Sequence, residues 1–327
     1  MKNNYLIDIT DKENWLFPTN GYDQEGDVQE EQRTISMPEG PHKLYCFTDS
    51  LMHPAKSTDP DGPVFLHEHH EGYETFFVES GGLDFYIDGK YCAVKPGSVI
   101  HIQPYQAHGM IFRDYTIYRG IFHDWNCADD SVATSLLERH YPDAKKDPVF
   151  FDLLIKNIDM YMRERADFEP AAPEDVNPVR DPGKPLARFE LDGVTMKMLT
   201  ARWENGGIKE LWRAEMKKGF TAKWESYPTV QDLFYINKGL VRFKVYDEEF
   251  TAGENCLVKI PKYAPHSFIV EQDAVMYDVG GQTEWYSLLQ DYTSIKCFDP
   301  EKAKNPEAIA ALKAKFGCKV AEISYQN

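Results

Sequence analysis

Short apolar runs broken by turn residues dominate two blocks of the chain, roughly 42–124 and 187–290. In the first block, Glu74-Thr75-Phe76-Phe77-Val78, Leu83-Asp84-Phe85-Tyr86-Ile87 and Ser98-Val99-Ile100-His101-Ile102 lead to a last run from Tyr115 to Phe122. Gly81-Gly82, Asp88-Gly89 and Lys95-Pro96-Gly97 separate them. Asp-Gly between apolar runs is a hairpin signal, because a two-residue turn needs positive φ. The second block holds Leu233-Phe234-Tyr235-Ile236, Val241-Arg242-Phe243-Lys244-Val245 and Phe268-Ile269-Val270. Many short strands with close turns predict sandwiches or barrels. Between the blocks the period becomes helical, over Asp129–Tyr141 and Asp147–Arg165, with Asp147-Pro148 as cap and first-turn proline. Prolines 170, 173, 178, 182 and 185 then forbid a helix or central strand, predicting an extended linker. Asn305-Pro306 opens a last helix through Lys315, closed by Gly317.

The two blocks read as copies. Glu74–Gly81 aligns with Asp232–Gly239 at an offset of 158 positions, and His108 and His266 share that offset. Gly97 and Gly253 differ by 156, which implies drifting loop lengths. A repeat of this size means two similar domains, not a solenoid.

With 327 residues, two domains fit the length. The 53 acidic against 36 basic residues, net −17, exclude a general electrostatic surface for nucleic acid or anionic lipid. No stretch approaches a membrane span, and the N-terminus lacks a signal-type apolar core, so the expected location is cytoplasmic. Cys46, Cys92, Cys127, Cys256, Cys297 and Cys318 form no CxxC pair and read as reduced, mostly buried thiols.

The chemistry lies in His67-Glu68-His69-His70-Glu71-Gly72-Tyr73-Glu74. Residues two apart on a strand share a face, so His67 and His69 present two imidazoles together. Gly72 permits a turn, from which Glu74 returns a carboxylate. His108 follows a turn after another strand. Three imidazoles and one carboxylate suit a divalent first-row metal, and an octahedral ion would keep two positions open. His70 and Glu71 read as a solvated loop, and His101 as facing outward. Tyr105 is a candidate for the barrel mouth. Tyr118, Arg119, His123 and Trp125 compete for a place in the pocket, while His42, His53 and His140 read as structural.

His67-x-His69-x4-Glu74-x6-Gly81 resembles the first cupin motif, with Gly62 one residue nearer than usual. Gly97-x5-Gln103-x-Tyr105-x2-His108 resembles the second motif, with Gln103 and Tyr105 in place of its proline and glycine and Pro104 shifted by one. The resemblance implies an all-β chain: two jelly-roll barrels, an intervening helical segment and a C-terminal helix. The expected divisions are an arm at 1–41, a metal-binding cupin at 42–127, helices and linker at 128–186, a degenerate cupin at 187–290 and a helical tail at 291–327. It implies metal ligands His67, His69, Glu74 and His108, with Glu74 and Tyr105 as catalytic candidates. The cofactor would be one divalent transition metal per chain: Fe, Mn, Ni, Co, Zn or Cu. In the second copy Glu225, Tyr227, Asp232 and His266 take the ligand places; a barrel without metal is expected there, with an oxygen-rich second metal site as the alternative. The expected activity is dioxygenation of a small aromatic or enol substrate, as in flavonol-dioxygenase-like bicupins. The alternatives are an oxygen-independent isomerase, lyase or decarboxylase, and a binding protein without catalysis. Family analogy also implies a homo-oligomer.

Overall fold

A computed structural model describes residues 3–22, 27–36, 46–56, 66–122, 139–141, 143, 147–149, 156, 159–164, 167–206, 210–224, 232–261, 263–279, 285–315 and 320–325. Glu225, Tyr227, His42, Gly62, His123, Trp125 and Gly317 lie outside them. The chain divides into two compact units, Lys12–Lys184 and Met1–Asp11 with Pro185–Asn327.

The first unit is two sheets facing one core. One sheet runs in the order Tyr161–Met162, His67–Glu68, His108–Phe112, Leu83–Ile87, Lys90–Val94, Glu169–Pro170. The other runs Val179–Arg180, Val99–Ile102, Glu74–Ser80, Thr116–Phe122, Cys46–Met52, Val28–Ser36, Phe17–Tyr22. Phe76, Val78, Ile100 and Ile102 from one sheet meet Leu83, Phe85, Ile87 and Val94 from the other. Alternation along each strand sends these apolar positions inward. Asp88 (φ 49°) and Gly89 (φ 73°) close the hairpin of Ile87 and Lys90, as the Asp-Gly signal predicts.

The second unit is one ten-stranded sheet, because two long strands, Asp232–Val245 and His266–Asp278, bend around the whole barrel. Its core gathers Trp212, Phe234, Phe243, Val258 and Ile260, all at most 2% exposed. Burying each such side chain contributes about 1.5–3 kcal/mol. The first 41 residues divide between the units. Leu6–Asp8 pairs with Cys256–Ile260 in the second, while Phe17–Tyr22 and Val28–Ser36 join the first.

The C-terminal helix forms over Pro306–Lys315, with the Asn305 side chain accepting from the Glu307 and Ala308 amides. A further helix, Trp285–Phe298, buries Trp285, Leu288 and Leu289. The predicted helix over 147–165 ends early. Asp159 is left-handed (φ 62°), and Tyr161–Met162 is an edge strand beside His67–Glu68. The proline-rich stretch is likewise no free linker. Glu169–Pro170 and Val179–Arg180 dock as two-residue edge strands, where a missing N–H is tolerated.

The repeat is more regular than the glycines suggest. Positive φ recurs at the constant 158 offset in Gly81 and Gly239, Asp88 and Tyr246, Gly97 and Asn255, Tyr105 and Tyr263. The Gly97 amide donates to the Val78 carbonyl, as the Asn255 amide donates to Ile236. Gly97 therefore matches Asn255, not Gly253, and these loops do not drift. A Cβ on Gly81 would stand 2.5 Å from a backbone oxygen, and on Gly239 2.2 Å, so both close approaches demand glycine.

Candidate metal centre

His67 and His108 lie directly opposite each other on antiparallel strands, and Glu74 opens the neighbouring sheet's strand. This brings the ligand atoms of His67, His69, Glu74 and His108 within 4.8 Å of one another. Glu74 Oε2 stands 3.0 Å from His108 Nε2 and 3.4 Å from His69 Nε2. The His67 ring centroid lies 4.3 Å from that of His108 and 5.1 Å from that of His69. His69, Glu74 and His108 are all at most 6% exposed.

Two rings are oriented from behind. His69 Nδ1 donates to the Asp159 carbonyl at 2.8 Å, and His108 Nδ1 to the Gln106 carbonyl at 2.8 Å. Each Nδ1–H bond leaves Nε2 as the ring atom turned toward the cluster. Among the described residues, the Nε2 atoms of His69 and His108 find no hydrogen-bond partner outside the cluster. Buried polar atoms in such a set are costly unless a cation or shared proton satisfies them. The donor set therefore fits a borderline divalent ion. Burial opposes charge on His69, but the Glu74 carboxylate outweighs it and pushes the imidazole up to about 9. Burial would raise Glu74, yet the charge of His69 and hydrogen bonds from both histidines hold it well below the usual carboxylate range.

Tyr105 keeps the left-handed turn (φ 64°) where the motif has glycine. Its amide donates to the His69 carbonyl at 2.6 Å, and its ring, 67% exposed, stacks on His70 at 4.5 Å. His70 departs from the solvated-loop expectation. It also stacks on Tyr161 at 3.8 Å, and its Nε2 pairs with Glu68 at 2.8 Å. His101 faces away from the barrel core, as expected, and is buried there. It sits on the opposite side of its strand from Ile100 and Ile102, and Thr75 Oγ1 lies 2.9 Å from its Nδ1. Its amide donates to the Pro178 carbonyl within the sheet, and the Tyr73 ring stacks on the imidazole at 6.1 Å.

Of the described members of its group, Tyr118 enters the barrel core, donating to Glu30 at 2.9 Å. Burial raises its phenol well above the ordinary value. Arg119 instead pairs with Asp49. His53 binds Glu31 at 2.9 Å, and His140 is exposed. Asp159 is the neighbour that sequence reasoning missed, because its residue fell inside a run read as helix.

In the second unit, Asp232 and His266 are buried at the positions of Glu74 and His108. His266 keeps the pose of His108, with Nδ1 donating to the Ala264 carbonyl at 2.9 Å. Burial pulls it down to about 4, so it is a neutral imidazole near pH 7. Among the described residues, the His67 quartet alone has the grouping of a metal site.

Comparison with known proteins agrees with this architecture. Residues 57–117 match the family model for the cupin domain. An arginine-to-alanine variant of oxalate decarboxylase from Bacillus subtilis superposes with a TM-score of 0.52 at 12% identity, covering 100% of this chain and 90% of that one. A structure of the same enzyme, described through its Mn(II) centres, gives 0.52 at 11% identity with the same coverage. A cupin 2 conserved barrel domain protein from Leptotrichia buccalis gives 0.45 at 11%, covering 76% of this chain and 88% of that one. No curated protein matches in sequence. The first barrel has the cupin fold and carries the stretch that the family model matches. The chain as a whole has the bicupin fold, with its metal-site grouping in the N-terminal copy.

Proposed function

We propose that this chain is a metal-dependent enzyme that acts on a small organic acid without consuming dioxygen, as a decarboxylase, lyase or isomerase. The observation that carries the reading is the buried convergence of three imidazoles and one carboxylate within 4.8 Å. Neutral imidazoles and one carboxylate would leave a divalent ion with net positive charge, which favours an anionic ligand such as a carboxylate or enolate. Once bound, the ion would act as a Lewis acid on the coordinated oxygen. His67, His69, Glu74 and His108 hold it in this reading, and Mn is the first candidate. Glu74 keeps a charged oxygen at the reacting side, and the docked segment around Asp159 restricts water. Tyr105 serves at the rim through its exposed ring, with binding rather than proton transfer as its role. The bicupin likeness to an oxalate decarboxylase supports this choice over the dioxygenase expected from the motif. The chain works on small molecules as a homo-oligomer in the cytoplasm. Among the described residues, no helix is long and apolar enough to cross a membrane.

The test is elemental analysis of the purified chain, followed by assays of small mono- and dicarboxylates, oxalate first. Carbon dioxide release and oxygen uptake are followed with and without air. The expected outcome is bound transition metal and turnover that persists anaerobically. Turnover that stops without oxygen, with stoichiometric uptake, would restore the dioxygenase.

A further inference from the structure

We propose that Asp159 is the positioning residue of the metal centre, fixing His69 and its loop from outside the ligand set. The proposal rests on the metal reading above, and on two separate grips by one residue. The backbone carbonyl accepts from His69 Nδ1 at 2.8 Å. The carboxylate accepts from three successive amides of the turn between His69 and Glu74: His70 at 2.9 Å, Glu71 at 2.8 Å and Gly72 at 3.1 Å.

Three consecutive N–H groups aimed at one carboxylate make a concave anion site, and hydrogen bonds to an ionised acceptor are the strong kind. The turn cannot open without stranding that buried charge, since Asp159 is 6% exposed. The left-handed φ of 62° turns the carbonyl and carboxylate of the same residue toward the same loop. Aspartate tolerates that conformation better than most side chains.

The rest of the segment holds the register. Tyr161–Met162 pairs antiparallel with His67–Glu68, and the Arg163 amide donates to the Leu66 carbonyl at 2.9 Å. Tyr161 stacks on His70, and Arg163 pairs with Glu68. A segment 90 positions away thus clasps the loop that carries two ligands. His69 cannot rotate without losing its acceptor, so its Nε2 stays aimed at the cluster. Partners of metal-bound histidines typically govern affinity by 10- to 100-fold.

The experiment uses the full chain, stripped of metal and titrated with Mn(II), for the wild type, Asp159→Ala and Asp159→Asn. Hydrogen exchange of the His69 Nδ1–H is followed by NMR on the metal-free proteins, and circular dichroism checks folding. Asn tolerates positive φ and retains one acceptor oxygen, whereas Ala loses both advantages. The expected result is Mn(II) affinity lower by about 10- to 100-fold in Asp159→Ala, with fast Nδ1–H exchange. Asp159→Asn should recover most of both. Folded Asp159→Ala with affinity within about twofold of wild type and a protected Nδ1–H would overturn the proposal, on the scale of that same effect. If Asp159→Ala does not fold, Asp159→Asn decides: affinity and exchange both near wild type support the grip, and affinity lost with the Nδ1–H still protected overturns it. If the wild type itself takes up neither Mn(II) nor Zn(II), the metal reading falls, while the exchange comparison still decides whether Asp159 holds His69.

Discussion

The two barrels share a frame down to single turn residues, yet among the described residues only the first groups four ligands. His108 and His266 stand 158 positions apart, each with Nδ1 tied to the carbonyl two residues earlier. In the first barrel His108 faces a carboxylate at 3.0 Å and two further imidazoles. In the second, the ring of His266 lies 6.2 Å from that of Phe234, and its burial is uncompensated enough to pull the imidazole down to about 4. The backbone that aims a ligand is therefore independent of the ligand set.

The sharpest way to break this comparison is to exchange the effects of the two histidines. His108→Ala is expected to abolish stoichiometric metal binding and activity, while His266→Ala leaves metal content unchanged; elemental analysis of both folded variants decides. Equal metal loss from the two would mean that the barrels are functionally alike.

The next effect concerns pH. The folded state holds His266 near 4, against 6.5 for an ordinary histidine, so between these values the unfolded chain binds the extra proton. Stability from this group is full above about 6.5 and falls as pH drops toward 4, by ~3 kcal/mol in all. Denaturant unfolding at stepped pH should show it in the second unit, whose tryptophans 203, 212, 224 and 285 outnumber those of the first. His266→Gln should flatten the slope. An unchanged slope would place the acid sensitivity elsewhere.

The smallest effect tests the matched tyrosines. Tyr263→Gly relieves a left-handed φ of 65° and should raise stability by about 0.5–1 kcal/mol. Tyr105→Gly gives less or none, because it also removes the stack on His70. Denaturation midpoints of the two variants read the difference directly. A gain in Tyr105→Gly as large as relief of the left-handed φ alone would show that the stack contributes nothing.

Much of this was legible in the residues. The quartet could be read because strand alternation and motif spacing are local properties, and the 158 offset located Asp232 and His266. What escaped depends on segments distant in sequence. His101 alternates with two inward isoleucines and so reads as outward, as it is; its burial there, with Tyr73 stacked at 6.1 Å and Thr75 beside it, is not visible in the alternation. Asp159 sits in a periodic apolar run, and nothing nearby shows that it reaches back to His69. The pairing of Gly97 with Asn255 was hidden because asparagine also adopts positive φ, so a search for glycine finds Gly253 instead. Reaction class was illegible for another reason: the same ligand set supports both oxygen chemistry and Lewis-acid chemistry.

The strand Leu6–Asp8 pairs with Cys256–Ile260, with Leu6 opposite Val258, far away along the chain. A ribosome delivers the first of these partners long before the second. The unit of Lys12–Lys184 emerges in full and can close while most of the other is still untranslated. The early strand must wait, unpaired, for its edge. Contacts of such long sequence separation form late and slowly, so the ligand-bearing barrel is placed to mature first and its companion to be completed last.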